Sequence, residues 1–173
     1  ACSSARISMI PTFPVDASLA SIHTALTRVN AIERPLQFSK RYFEECYQSA
    51  WRGIPRKIVS VLGLEDEDAV PELMRRHTLM LLYLNVDHRW IYSLRGVGWL
   101  SSGYTPKYCP HCAERDISVY GTPHWHLFHQ VPGIHHCPLH GTLLHSACAD
   151  CCSPLGRFAS WNLPQDRCRV CNS

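Results

Sequence analysis

Apolar positions in the first hundred residues recur with a helical period. Leu19, Ile22, Leu26 and Val29 fall on one stripe, and Asp16 or Ser18 stands where a cap belongs. A second helix is expected over Ser39 to Tyr47, with Tyr42, Phe43, Cys46 and Tyr47 on its apolar face. Ile54-Pro55 opens a third that holds Ile58, Val59 and Leu62 and stops at Gly63. Glu65-Asp66-Glu67-Asp68 reads as an acidic approach to a fourth, which Pro71 starts and which carries Leu73, Met74 and His77 on to Met80 or Leu81. Gly96, Gly98, Ser101, Ser102 and Gly103 then break the pattern. The expected architecture is therefore mainly α over residues 1–100, followed by small irregular units over 101–173.

Two short helices joined by a turn over 54–80 allow a helix-turn-helix reading. Arg52, Arg56, Lys57, Arg75 and Arg76 would then face phosphates, whereas on a plain helical bundle they form a solvated face. The longest apolar run, Leu79 to Leu84, is too short to cross a bilayer and meets Asp87, His88 and Arg89. Residues Ala1 to Ser8 hold no apolar signal core. Met9-Ile10-Pro11 makes a natural start, so residues 1–8 read either as an appended leader or as a native tail.

Ten cysteines and eleven histidines change the picture of the last third. Cys109-Pro-His-Cys112, Cys148-Ala-Asp-Cys151 and Cys168-Arg-Val-Cys171 repeat one spacing, and Cys137-Pro-Leu-His140 repeats it with His in the last place. A disulfide framework has no reason to keep a two-residue gap or to admit a histidine. A tetrahedral Zn²⁺ has, because each tight knuckle supplies half of its shell. Zinc in place of disulfides implies a reducing, intracellular setting.

Sequential pairing gives one site from Cys109, Cys112, Cys137 and His140, and another from Cys148, Cys151, Cys168 and Cys171. A cross-braced pairing is the alternative; the short step from the second to the third knuckle that such modules use is longer here, which favours the sequential scheme. The interval between Cys112 and Cys137 is long enough for a strand, a turn and a return. Cys152 stands after Cys148 with a gap of three residues and is left outside the shell. His111, His129, His135, His136 and His145 are candidates more simply read as structural or surface histidines. Trp125 and Phe128 read as core between the knuckles, with an exposed aromatic contact as the other option.

Both sites fill all four positions with protein ligands, whereas a catalytic zinc keeps one for water. The chain has no H-E-x-x-H, no nucleophile elbow, no Walker loop and no dinucleotide fingerprint, so no enzyme class is indicated. The formal charge of +3 does not argue for nucleic acid either, because seven ligand thiolates and two Zn²⁺ bring it to zero. The cations that remain favour arginine, 14 of 17, the side chain suited to phosphate and base edges. A zinc-binding transcription regulator that reads DNA directly is thus one admissible function.

A longer pattern points elsewhere. Cys109-Pro-His-Cys112-Ala-Glu114-Arg-Asp116, then Pro123-His-Trp125-His-Leu-Phe-His129-Gln130-Val-Pro132-Gly133, then Cys137-Pro138-Leu-His140-Gly141-Thr-Leu143-Leu144, closely resembles the TniQ/TnsD family of transposition target selectors. Phe13-Pro14-Val15-Asp16-Ala17-Ser18-Leu19 is similar to the family's opening segment, and Glu72 to Leu79 to its R-x-H-T helix. The pair of knuckles from Cys148 to Cys171 fits the family's later pair.

The resemblance implies a bacterial, nucleoid-associated, non-catalytic adaptor with two structural zincs. Such proteins mark the insertion site of a Tn7-like element and recruit its AAA+ transposition ATPase (TnsC-like). Some members bind a DNA attachment site; others ride on an RNA-guided CRISPR effector complex, with a helix-turn-helix-like region used for docking or homodimerisation. The longer, DNA-specific members carry a C-terminal extension, whereas this chain stops two residues after Cys171, as a short adaptor or a truncated selector would.

Overall fold

The computed structural model describes residues 9–32, 58–59, 61–64, 68–79, 105–155 and 162–173. The expected helix at Ser39–Tyr47, the Pro55 helix start, the acidic residues 65–67, the helix end at Met80 or Leu81, and the break at 96–103 lie outside them, as do Arg52, Arg56 and Lys57. Among the described residues the chain is mainly helical, with isolated bridges and no sheet.

Helix α1, Leu19–Val29, runs through the middle of the described structure. Ser18 caps it: its Oγ accepts from the Ser21 amide at 3.2 Å, satisfying one of the orphan donors of the first turn. The expected stripe packs where its period puts it. Leu19, Ile22 and Leu26 join Ala17, Ile58, Val59, Leu73 and Met74 in one core cluster. Ile58, Val59 and Val61 are helical, and the turn closes with Leu64 N–H on the Val59 carbonyl at 3.0 Å beside Gly63, whose φ of +68° only glycine adopts freely.

Helix α2, Ala69–His77, starts two residues ahead of Pro71, which sits in the first turn where no amide is missed. It delivers Leu73 and Met74 to the same cluster. His77, at its end, donates from Nδ1 to the Ala17 carbonyl at 2.7 Å and packs edge-on to Phe13, fixing α2 to the start of α1.

The opposite side of α1 carries Ala20, Ser21, Thr24 and Thr27, and it is buried too. Small polar residues tolerate this because Thr24 and Thr27 return their hydroxyls to the carbonyls of Ala20 and Thr24, each at 2.8 Å. This side meets Trp125, 1% exposed, and Leu163, with Tyr108 and Leu155 against them. Backbone pairing seals the contact: Ser18 N–H reaches the Trp125 carbonyl at 2.7 Å, Trp125 N–H the Ser21 hydroxyl at 2.7 Å, and Leu127 N–H the Asp16 carbonyl at 2.9 Å.

The interval between Cys112 and Cys137, long enough for a strand, a turn and a return, is occupied by helices instead. Helix α3 spans Pro110–Tyr120 and helix α4 Leu127–Gln130. Pro110 is pre-set for the first helical position and Gly121, at φ +76°, closes α3 with its amide on the Ile117 carbonyl at 3.0 Å.

Candidate metal centres

The first centre grows from two unlike knuckles. Cys109 caps α3, so it and Cys112 face the positive end of that helix, where thiolate charge is favoured. The second knuckle is a small loop closed by Cys137 N–H on the Thr142 carbonyl and Gly141 N–H on the Cys137 carbonyl, both at 2.8 Å. Gly141 takes φ +65° there, and Gly133, at +82°, makes the expected turn before it. A bridge between Tyr108 and His145 sets the two knuckles face to face.

The ligand atoms of Cys109, Cys112, Cys137 and His140 all lie within 4.8 Å of one another. A tetrahedron with Zn–S near ~2.3 Å and Zn–N near ~2.0 Å has S···S edges of about 3.8 Å and S···N edges of about 3.5 Å. Cys112 and Cys137 Sγ are 3.6 Å apart, and His140 Nδ1 lies 3.5, 3.3 and 3.5 Å from Cys109, Cys112 and Cys137. Three sulfurs and one Nδ1 thus stand at zinc spacing. The cysteines are buried, 0 to 1% exposed, under Leu144 and Phe128, whereas His140 faces outward.

Cys148, Cys151, Cys168 and Cys171 form a second such group, with Cys148–Cys171 and Cys151–Cys168 sulfurs each 3.6 Å apart. Both groups are the sequential ones. Each is suited to hold a zinc ion, one with an S₃N donor set and the other with S₄.

Three of the four knuckles share one hydrogen-bond pattern. In each, the first cysteine's amide bonds the carbonyl five residues on, and its carbonyl receives the amide four residues on: Cys137 with Thr142 and Gly141, Cys148 with Ser153 and Cys152, Cys168 with Ser173 and Asn172. The fifth residue is left-handed every time, Gly141 at φ +65°, Cys152 at +55° and Asn172 at +62°. Cys152 is therefore the turn residue of its knuckle, exposed and apart from the group of four.

Electrostatics also fit a cation. Burial opposes ionisation of Cys109, but the Thr142 hydroxyl and the Cys112 and His111 amides outweigh it and hold that thiol below its ordinary value. Burial and the neighbouring thiols of Cys137 and Cys109 push Cys112 far up. The Ser153 hydroxyl and the Cys171 and Val170 amides bring Cys168 down to about 5. The first group thus favours a thiolate at Cys109 and disfavours one at Cys112, the second favours one at Cys168 and disfavours one at Cys171, and a divalent cation offsets that repulsion.

His111, His135 and His136 are exposed and His145 is half-buried, edge-on to Tyr108; none belongs to a group of four. His129 is buried, its Nε2 3.4 Å from Cys137 Sγ and 3.8 Å from Cys112 Sγ, yet it too lies outside the group. Arg75 and Arg76 are exposed on α2 and both pair with Glu72 of the same helix.

One buried group escaped the sequence reading. His126 Nδ1 meets Asp16 at 2.9 Å and its Nε2 meets Asp116 at 2.8 Å, with His126 1% and Asp116 0% exposed. Burial disfavours the imidazolium, but hydrogen bonds and charge from Asp116 and Asp16 outweigh it and raise His126 to about 9. Burial likewise opposes the Asp16 carboxylate, and the bond and charge of His126 outweigh it and hold Asp16 low. An imidazolium between two carboxylates thus joins the segment before α1 to α3. Its members are 110 and 10 residues apart, and no local motif announces them.

The family model TniQ matches residues 8–144. That span includes the Asp16–His126–Asp116 group and the whole first centre, and ends before Cys148. No curated protein matches the chain.

Proposed function

The chain belongs to the TniQ family, whose members are transposition-associated target-selection proteins, and from that premise we propose that it is a non-catalytic adaptor of a bacterial Tn7-like system. It would link target DNA or an RNA-guided CRISPR complex to the AAA+ transposition ATPase (TnsC-like). The observation that carries this is the first metal centre, complete with four protein ligand atoms and set inside the matched residues. Cys109, Cys112, Cys137 and His140 hold one structural zinc in this reading, and Cys148, Cys151, Cys168 and Cys171 the other. With four protein ligands each, the ions staple surfaces and leave no place for a reacting water.

Within this reading, residues 1–100 supply a docking or homodimerisation part and residues 101–173 the zinc-stapled part. The helical turn at Ile58 and Val59 and helix α2 share one core cluster, as the two helices of a helix-turn-helix would. Arg75 and Arg76 share the single carboxylate of Glu72, which lowers the positive charge that this helix would offer to phosphates.

The test is a pull-down and DNA-bridging assay of the full chain with the ATPase of the same element. Association in the presence of target DNA or of the guide complex is expected; no association under either condition overturns the proposal. A base-specific footprint by the chain alone, with a steep salt dependence, would instead identify a transcription regulator that reads DNA directly.

A further inference from the structure

His129 and Gln130 are consecutive residues of α4 with opposite errands. The Gln130 side chain brackets the backbone of Lys107, two residues ahead of the first knuckle, accepting its amide at 2.9 Å and donating to its carbonyl at 2.6 Å. It donates as well to the His126 carbonyl at 3.0 Å, so α4 is tied down at both ends. His129 faces the other way, toward two of the three sulfurs of the first centre.

Its ring is fixed by packing. Phe128 lies at 4.4 Å and His126 at 5.3 Å between ring centroids, both edge-on, and the side chain is fully buried. The four-atom group is complete without it, so the ring is not needed as a ligand. A neutral imidazole has one N–H and one lone pair. A lone pair at Nε2 would face two thiolates, whereas an N–H there meets two acceptors. Nδ1, the other nitrogen, is buried with no hydrogen-bond partner. A bare lone pair is tolerated in such a place better than an orphaned N–H. Both ends of the ring give the same tautomer.

The geometry points to His129 as a positioning residue of the first metal centre, donating Nε2–H to the thiolates of Cys112 and Cys137. The role has a clear electrostatic reason. Three thiolates, a neutral histidine and Zn²⁺ leave one net negative charge in a buried site, and an N–H aimed at the sulfurs offsets part of it. The inference rests on zinc occupying this centre, and the experiment separates failure of the one from failure of the other.

Full-length wild type, His129→Leu and His129→Gln are loaded with zinc for competition against a chromophoric chelator, and with cadmium for metal NMR, where S₃N and S₄ shells give separate lines. Gln places an amide N–H near the position of the histidine Nε2. Expected is a loss of roughly 10–100-fold in first-centre affinity for His129→Leu, with its S₃N line displaced and the S₄ line unmoved. His129→Gln should stay close to wild type in both. Unchanged affinity and an unmoved line in His129→Leu overturn the proposal. So does a His129→Gln as weak as His129→Leu, because the ring would then matter only for its volume. Should His129→Leu not fold, a His129→Gln that loses roughly 10-fold or more in first-centre affinity overturns the proposal. A wild type that lacks the S₃N line overturns the zinc reading itself, and this inference with it.

Discussion

Cys152 is the residue at which knuckle geometry and side-chain choice disagree. Its φ of +55° is the left-handed turn that Gly141 and Asn172 occupy in the sister knuckles, and a Cβ carries a penalty there. Cys152→Gly should keep two zincs and raise stability by about 0.5–1 kcal/mol. Denaturant titration at saturating zinc measures the gain, and the loss of a metal equivalent would make Cys152 a ligand after all. His126 gives a prediction of another kind. Its folded value of about 9 lies above its ordinary 6.5, so its contribution is complete below pH 6.5 and disappears as pH rises through 9. On the order of 3 kcal/mol is at stake over that window. Zinc-saturated wild type should therefore show a melting temperature that falls from pH 6.5 to 9, measured by calorimetry. His126→Gln should be less stable at pH 6.5 and lack this slope.

Helix α1 was legible because its stripe has a single period, although the cap could be Asp16 or Ser18 until the structure placed Ser18 there. Ser18→Ala should cost about 1 kcal/mol through the lost cap, read as a lowered midpoint at constant slope in urea. The other side of α1 was not legible. Ala20, Ser21, Thr24 and Thr27 look like a solvent face, yet they are buried, Ala20 against the distant Trp125 and Leu163. α3 failed to stand out for the opposite reason: its signals, Pro110 in front and Gly121 behind, were both present. Ligand spacing drew attention to Cys109 and Cys112 as the ends of a loop, although a helical first turn also brings residues three apart together. The eight cysteine and histidine positions of the two centres could be read directly, since metal geometry dictates a local spacing. His129, the Asp16–His126–Asp116 group and the shared left-handed turn depend on tertiary contacts or on φ, for which a sequence offers no period.

Across the whole molecule the two centres differ in cover. The first is closed over by Leu144 and Phe128, whereas the cysteines of the second are half-buried or exposed. A chelator should accordingly draw the second zinc first, passing through a one-zinc species visible by native mass spectrometry. Alkylation of that species should mark Cys148, Cys151, Cys168 and Cys171 and spare Cys109, Cys112 and Cys137; the reverse pattern would show that burial does not control release. The seam between α1 and Trp125 bears on how the protein is made. Ser21 and Trp125 are 104 residues apart, Asp16 and His126 110. A ribosome delivers its chain at about 5–20 residues each second, so the side of α1 that carries Ala20 and Ser21 waits for seconds before Trp125, against which it packs, exists. Synthesis therefore passes through a stage in which this helix is open to chaperones and to other nascent chains, and the arrival of Trp125 and His126 ends it.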